Sequence, residues 1–138
     1  MSGVVYQSLT REEIAYLVVV HVWGDTVVTM SPTLNPKWYD TVDRASGVKR
    51  GPSAETLADR VLSDYGLGRT ISEMFRHGYT PSISLDAGRN NVDRFIFHNY
   101  TSGDDKRFRI TLGPGGAPRL ARAAAIAALR AIDPGAPP

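Results

Sequence analysis

The chain has 138 residues, of which 42% are hydrophobic and 22% are charged, and its formal net charge is +2. This length and composition favour one globular domain over a disordered chain. Because the chain contains no cysteine, disulfide bonds, thiolate metal ligands and a cysteine nucleophile are excluded. The longest apolar run, residues 14–20, is much shorter than the roughly 20 residues that cross a bilayer. With no signal peptide evident, a cytoplasmic protein without membrane contact is expected.

The two halves of the chain differ in charge. Residues 1–66 carry a net charge of −2, whereas residues 67–138 carry +4. This asymmetry favours an anionic partner for the second half. The alternative explanation is the arginine-rich composition that a GC-rich genome produces without any ligand.

The first predicted element is a helix from Arg11 to about Val20. Thr10 and Glu13 have the spacing of a capping box at its start. A strand is the rival prediction, because the β-branched run at residues 18–20 lowers helix propensity. A turn at residues 24–25 precedes a short strand at residues 26–30.

A long surface loop is predicted for residues 31–52, because proline and glycine interrupt any periodicity there. It surrounds the cluster Lys37, Trp38 and Tyr39. Loops of this length in a compact domain are often functional. This loop is therefore the first predicted partner site.

Two helices are predicted next, one capped by Ser53 and running over residues 54–64, the other over residues 70–76. Three strands follow at residues 82–86, 94–98 and 106–112, with a hairpin loop at residues 101–105. A C-terminal helix is predicted from Pro118 to about Ile132, with a frayed tail after it.

No combination of residues predicts catalysis. His21, His77 and His98 are scattered along the chain and lack the spacing of a helical metal pair. No serine lies in a nucleophile elbow, and the adjacent carboxylates fall in a helix start and a hairpin loop. We therefore expect a protein that is not an enzyme and needs no metal or cofactor. The loop at residues 113–116, which joins a strand to a helix, is either an anion site or a flexible connection.

The segment at residues 117–129, Ala-Pro-Arg-Leu-Ala-Arg-Ala-Ala-Ala-Ile-Ala-Ala-Leu, resembles the C-terminal helix of double-stranded RNA-binding domains. The predicted order of helix, three strands and helix over residues 70–132 is similar to the same family. The resemblance implies that Arg119 and Arg122 take the place of two of the family's three phosphate-contacting lysines. Pro118 stands where the first of these lysines would be.

A second resemblance competes with the first over residues 70–78. Residues 57–78 are similar to a repressor-type helix-turn-helix. In that arrangement Arg69, Thr70, Ser72 and Glu73 would lie at the DNA groove.

The sequence thus predicts an α+β fold with an N-terminal helix and strand, a helical pair, and an antiparallel three-stranded sheet covered by a C-terminal helix. The predicted function is non-catalytic binding of the nucleic-acid backbone. The phosphate-contacting residues would be Arg107 and Arg109 on the sheet, Arg119 and Arg122 at the helix start, and Arg89 in a strand connection.

The alternative hypothesis is a protein-interaction module, such as a phage-encoded or defence-related adaptor, inhibitor or virion component. It would bind a protein partner through the loop around Lys37, Trp38 and Tyr39, because exposed aromatic side chains are typical anchors of protein interfaces.

Overall fold

The computed structural model describes residues 6–29, 39–84, 94–99, 107–111 and 116–133. Within them lie four α-helices and two small antiparallel sheets, which confirms the α+β class. The helices are α1 (Arg11–Leu17), α2 (Ala54–Val61), α3 (Asp64–Arg76) and α4 (Gly116–Ile132). The strands are β1 (Thr26–Thr29), β2 (Tyr39–Val42), β3 (Lys49–Arg50), β4 (Tyr79–Ser84), β5 (Arg94–Asn99) and β6 (Arg107–Thr111). No helix in these ranges is long and apolar enough to cross a membrane.

The first helix begins with the predicted capping box. The Thr10 hydroxyl accepts a hydrogen bond from the backbone N–H of Glu13, whose carboxylate accepts one from the backbone N–H of Thr10, both at 3.2 Å. After α1 the chain continues as a π-helical segment, Val18–Trp23, and ends at Gly24 with φ +74°. The valines that weakened the helix prediction are mostly buried in this segment. Their burial outweighs the small propensity cost of β-branching.

The prediction of a long loop over residues 31–52 is wrong in part. Residues 31–38 lie outside the described residues, but β2 and β3 fall within the predicted loop and form a sheet in the order β1-β2-β3. Tyr39 and Thr41 are buried while Asp40 between them is exposed, which is the alternation of a half-buried strand. Gly47, at φ +71°, allows the turn between β2 and β3. Burial of alternate side chains thus outweighs the local proline and glycine content.

The boundary between the two central helices also differs from the prediction. α2 ends at Val61, and α3 begins at Asp64, six residues before the predicted second helix. Ser63 caps α3 by accepting a hydrogen bond from the backbone N–H of Gly66. A Cβ at Gly66 would overlap the backbone carbonyl of Val61. Gly66 is therefore required for the close approach of α3 to the end of α2.

The second sheet has the order β4-β5-β6. β5 and β6 match the predicted strands to within one residue, whereas β4 begins at Tyr79, three residues before the predicted start. Phe95 and Phe97 of β5 are fully buried and join a core with the alanines of α4. α4 contacts β5, β6 and α3. The backbone register places Ile110 opposite Phe95 and Phe108 opposite Phe97.

Candidate nucleic-acid interface

Two arginines and a histidine lie at the carboxyl end of the π-helical segment. Arg44 Nε donates a hydrogen bond to the carbonyl oxygen of Trp23 at 3.1 Å. Arg76 Nη2 donates to the carbonyl oxygen of Val22 at 3.3 Å, and His77 Nε2 lies 3.0 Å from the same oxygen. Carbonyls at this end of a helix lack partners within the helix and favour cations. The end of the segment therefore holds two guanidinium groups in fixed positions.

The carboxylate of Glu73 forms salt bridges with the same two arginines. Arg44 Nη2 donates to both carboxylate oxygens at 2.8 Å, and Arg76 Nε donates to one of them at 3.0 Å. The Glu73 side chain is only 10% exposed, whereas those of Arg44 and Arg76 are 39% and 43% exposed. Both guanidinium-bearing side chains come within 3.3 Å of where a Cβ at Gly24 would lie. Two positive groups thus converge on one point of the surface.

Arg69 forms a more deeply buried ion cluster with Asp25 and Asp43. Its two terminal nitrogens donate to these carboxylates at 2.8 and 3.0 Å, and its guanidinium carbon lies 4.4 Å from the centroid of the Trp23 ring. Burial alone would raise the pKa of Asp43, but backbone N–H donors of the following turn and the charge of Arg69 hold it below its ordinary value. This cluster attaches α3 to the first sheet and to the end of the π-helical segment.

An exposed aromatic ring lies at the other end of α3. Tyr65 is 53% exposed, and its ring meets the buried Trp23 edge-on, with 6.2 Å between centroids. Arg60 donates to the Tyr65 hydroxyl at 3.1 Å, and its guanidinium carbon lies 5.1 Å from the Tyr65 ring centroid. Burial alone would raise the pKa of Tyr65, but Arg60 and then Arg69 hold it below its ordinary value. The ring is thereby fixed in place.

Tyr65, Arg69 and Arg76 share one side of α3, because their spacings of four and eleven residues place them within about 40° of one another around the axis. From Tyr65 to Arg76 this side extends over about 16 Å, at 1.5 Å per residue. We call the solvent-facing groups here the α3 arginine surface, defined as Arg44, Arg60, Arg76 and Tyr65.

The charges of this region are segregated by depth. The side chains of Asp25, Asp43 and Glu73 are 2%, 14% and 10% exposed. Arg44 and Arg76 are exposed to more than a third of their side-chain area, and Arg60 is half-buried. The carboxylates therefore hold the arginines from beneath, and the region presents positive charge to solvent.

The arginines predicted from sequence to bind phosphate fall elsewhere in the fold. Arg122 is half-buried, and its Nη2 donates to the carbonyl oxygen of Leu9 at 3.4 Å. Arg107 and Arg109 lie in β6, and Arg119 lies in the first turns of α4, but their side chains are outside the described residues. Arg89 is also outside them, as are residues 113–115 of the predicted anion loop.

Residues 39–52 of the predicted partner loop are described. Lys37 and Trp38 lie outside the described residues, and the expectation that Tyr39 is an exposed anchor is wrong. Tyr39 begins β2, is 8% exposed and packs against Tyr16 of α1 at 5.4 Å between ring centroids. Burial and then the neighbouring Tyr16 raise its pKa. Its ring contributes to the core instead of an interface.

The helix-turn-helix interpretation is also wrong at its contact residues. Thr70 is buried and accepts a hydrogen bond from Trp23 Nε1 at 3.1 Å. Arg69 and Glu73 are held in the ion clusters. Of the four residues expected at a DNA groove, Ser72 alone is exposed.

Sequence reasoning missed Arg44, Arg60 and Arg76. The local signal was the spacing of Arg69, Glu73 and Arg76 at four and three residues, which places like and unlike charges on one helix face. The partners of this face come from far along the chain, with Arg44 and Glu73 29 residues apart. Local patterns carry no information about such pairings.

Comparisons of the chain with protein-family models, curated proteins and solved structures found no match. Among the residues that the structure describes, no three histidine or carboxylate side chains come together in a way that would hold a metal ion.

Proposed function

We propose that this protein binds the phosphate backbone of nucleic acid through the α3 arginine surface and is not an enzyme. The observation that carries the proposal is the segregation of charge by depth. Asp25, Asp43 and Glu73 are almost covered, while Arg44 and Arg76 are 39% and 43% exposed. A polyanion approaching this face meets the cations first.

The geometry of Arg44 and Arg76 suits phosphate. Within the described residues, each guanidinium uses Nε and Nη2 for its hydrogen bonds to protein, so Nη1 is left for a ligand. Arginine presents its donors in a planar fork that matches phosphate oxygens. Both side chains are already held by Glu73 and by backbone carbonyls. Binding a ligand therefore costs them little additional conformational entropy.

The arginines predicted from sequence provide a second part of the proposed interface. Support comes from the contact between α4, which carries Arg119, and β6, which carries Arg107 and Arg109. The order α3, β4, β5, β6, α4 is also the order of elements that the resemblance to double-stranded RNA-binding domains implies. This patch is proposed to add phosphate contacts beside those of α3.

The experiment is a set of salt titrations with fluorescently labelled duplex RNA, duplex DNA and single strands. Three phosphate contacts from the α3 arginine surface would give a slope of about −2 to −3 in the plot of log affinity against log salt. An Arg119→Ala variant reports on the second patch, where loss of one contact would flatten the slope by about 0.9 for duplex DNA. Alanine suits a helix, so α4 is expected to form in this variant.

Wild-type protein that shows no retention on any nucleic acid at low salt would refute the proposal. That result would favour the protein-interaction alternative through the loop around Trp38.

A further inference from the structure

Tyr65 is an exposed aromatic side chain that the backbone-binding proposal does not use. It is the aromatic member of the α3 arginine surface and is 53% exposed. Its ring forms a T-shaped pair with Trp23, and Arg60 lies over the ring. With these contacts made, more than half of the residue's surface is still exposed, close to the guanidinium of Arg60.

The ring is held before any ligand arrives. Arg60 anchors its hydroxyl at 3.1 Å, and Trp23, which is fully buried, supports it from below. A flat surface fixed in this way loses little conformational freedom when another ring stacks on it. The combination of a fixed aromatic ring and adjacent exposed arginines is the one that binds a base together with its flanking phosphates.

We infer that the preferred ligand of this surface is single-stranded nucleic acid, with one base stacked on Tyr65 and the adjoining phosphates on Arg44 and Arg76. This inference rests on the proposed function. In a duplex the bases are stacked on one another and paired, so their faces are hidden from a protein side chain. Only an unpaired base can stack on Tyr65, and stacking tolerates any sequence because every base has an aromatic face.

The test compares three labelled probes with similar backbones. They are an oligothymidylate of about 12 nucleotides, within the range of known single-strand sites, a strand of equal length with abasic residues, and a duplex of equal length. Wild-type protein is expected to bind the oligothymidylate tightest. The abasic strand retains the phosphates but offers no ring, so it is expected to bind more weakly.

Two variants identify the ring as the cause. Tyr65→Leu is expected to weaken oligothymidylate binding roughly 5- to 150-fold, the effect of losing one stacked base, while leaving the salt slope and the abasic affinity unchanged. Tyr65→Phe, which keeps the ring, is expected to stay within about threefold of wild type. Phe75→Leu is the matched control: Phe75 is 55% exposed on the same helix, about 80° around the axis from Tyr65.

Three results would overturn the inference. The first is a duplex affinity as high as the oligothymidylate affinity. The second is a Tyr65→Leu variant that binds oligothymidylate as tightly as wild type. The third is a loss of oligothymidylate affinity in Phe75→Leu as large as that in Tyr65→Leu. If duplex binding persists with its salt slope in any of these cases, the proposed function stands without the single-strand preference. Absence of binding to every probe at low salt overturns both.

Discussion

Replacing Arg69 with methionine tests the ion cluster that holds α3 against the first sheet. Methionine keeps an unbranched chain of similar length but removes the charge and all donors. Asp25, whose side chain is 2% exposed, would keep, among the described residues, the hydrogen bond from the backbone N–H of Arg44 at 2.9 Å. Asp43, at 14% exposure, would keep two backbone donors.

The expected loss of unfolding free energy is about 3–4 kcal/mol. Removing one member of a buried ion pair costs about 3–5 kcal/mol because the other charge stays buried. Because Asp25 and Asp43 retain hydrogen bonds from backbone N–H groups, we expect a cost near the lower end of this range, about 3 kcal/mol. Loss of the contact between Arg69 and the Trp23 ring, at 4.4 Å, adds about 1 kcal/mol.

Urea denaturation, monitored by tryptophan fluorescence, measures this loss. An unchanged slope of unfolding free energy against urea concentration would show that the folded state is intact. Folding lowers the pKa of Asp43 below its ordinary 3.8. The stability that this carboxylate contributes is therefore present above about pH 4 and is lost as the pH falls. Because Arg69 is one cause of the lowered pKa, the wild-type and variant stabilities are expected to converge in acid.

A double variant separates the ion pair from general disruption. In the Arg69→Met background, Asp25→Asn removes the uncompensated charge and is expected to restore part of the lost stability. A loss below about 1 kcal/mol for Arg69→Met, or a further loss from the added Asp25→Asn, would refute the account of this cluster.

Three further predictions concern the fold and the loop. Gly66→Ala is expected to cost about 2–3 kcal/mol because its Cβ would overlap the last carbonyl of α2, whereas Gly68→Ala, with open space at its Cβ, should stabilise α3 by up to about 1 kcal/mol in chemical denaturation. Tyr6→Phe removes the 2.7 Å hydrogen bond to Asp133 and should cost about 1–2 kcal/mol at neutral pH. Burial, and then the hydrogen bond to Asp133, raise the pKa of Tyr6 from 10.0 to about 12, so this contribution is present below pH 10 and disappears as the pH rises further. Trp38→Ala is expected to preserve the melting temperature and to abolish capture of a protein partner if the loop is an anchor, at about 2 kcal/mol or more of binding; a large fall in melting temperature would instead indicate a core role.

The elements set by short-range chemistry could be predicted from the sequence. The capping box of Thr10 and Glu13, the strands of the second sheet and the alanine-rich α4 depend on neighbouring residues and on simple periodicity. Of the first sheet, only β1 could be predicted, from its short β-branched run. β2 could not, because the burial of Tyr39 depends on its contact with the distant Tyr16 of α1. The early start of α3 depends on contact between Gly66 and the end of α2, which no local pattern reveals.

The candidate site divides in the same way. Local clustering of basic residues in the positively charged second half predicts phosphate contacts at Arg107, Arg109, Arg119 and Arg122. The α3 arginine surface combines Arg44 from the turn after β2 with residues of α2 and α3. Its charge segregation depends on which carboxylates are buried, and burial is a tertiary property.

The most direct test of nucleic-acid binding compares Arg76→Gln with Arg11→Gln. Both side chains are 43% exposed and each pairs with one carboxylate, so the two variants remove the same charge from different surfaces. Glu73 keeps both hydrogen bonds from Arg44 in the first variant, which preserves the fold.

Affinity for a labelled oligonucleotide is measured at several salt concentrations. We expect Arg76→Gln to weaken binding and to flatten the log–log slope by about 0.7 for a single strand or about 0.9 for a duplex, the value of one phosphate contact. Arg11→Gln is expected to leave the slope at its wild-type value. Equal effects of the two variants, or an unchanged slope for Arg76→Gln, would contradict a phosphate-binding role for the α3 arginine surface.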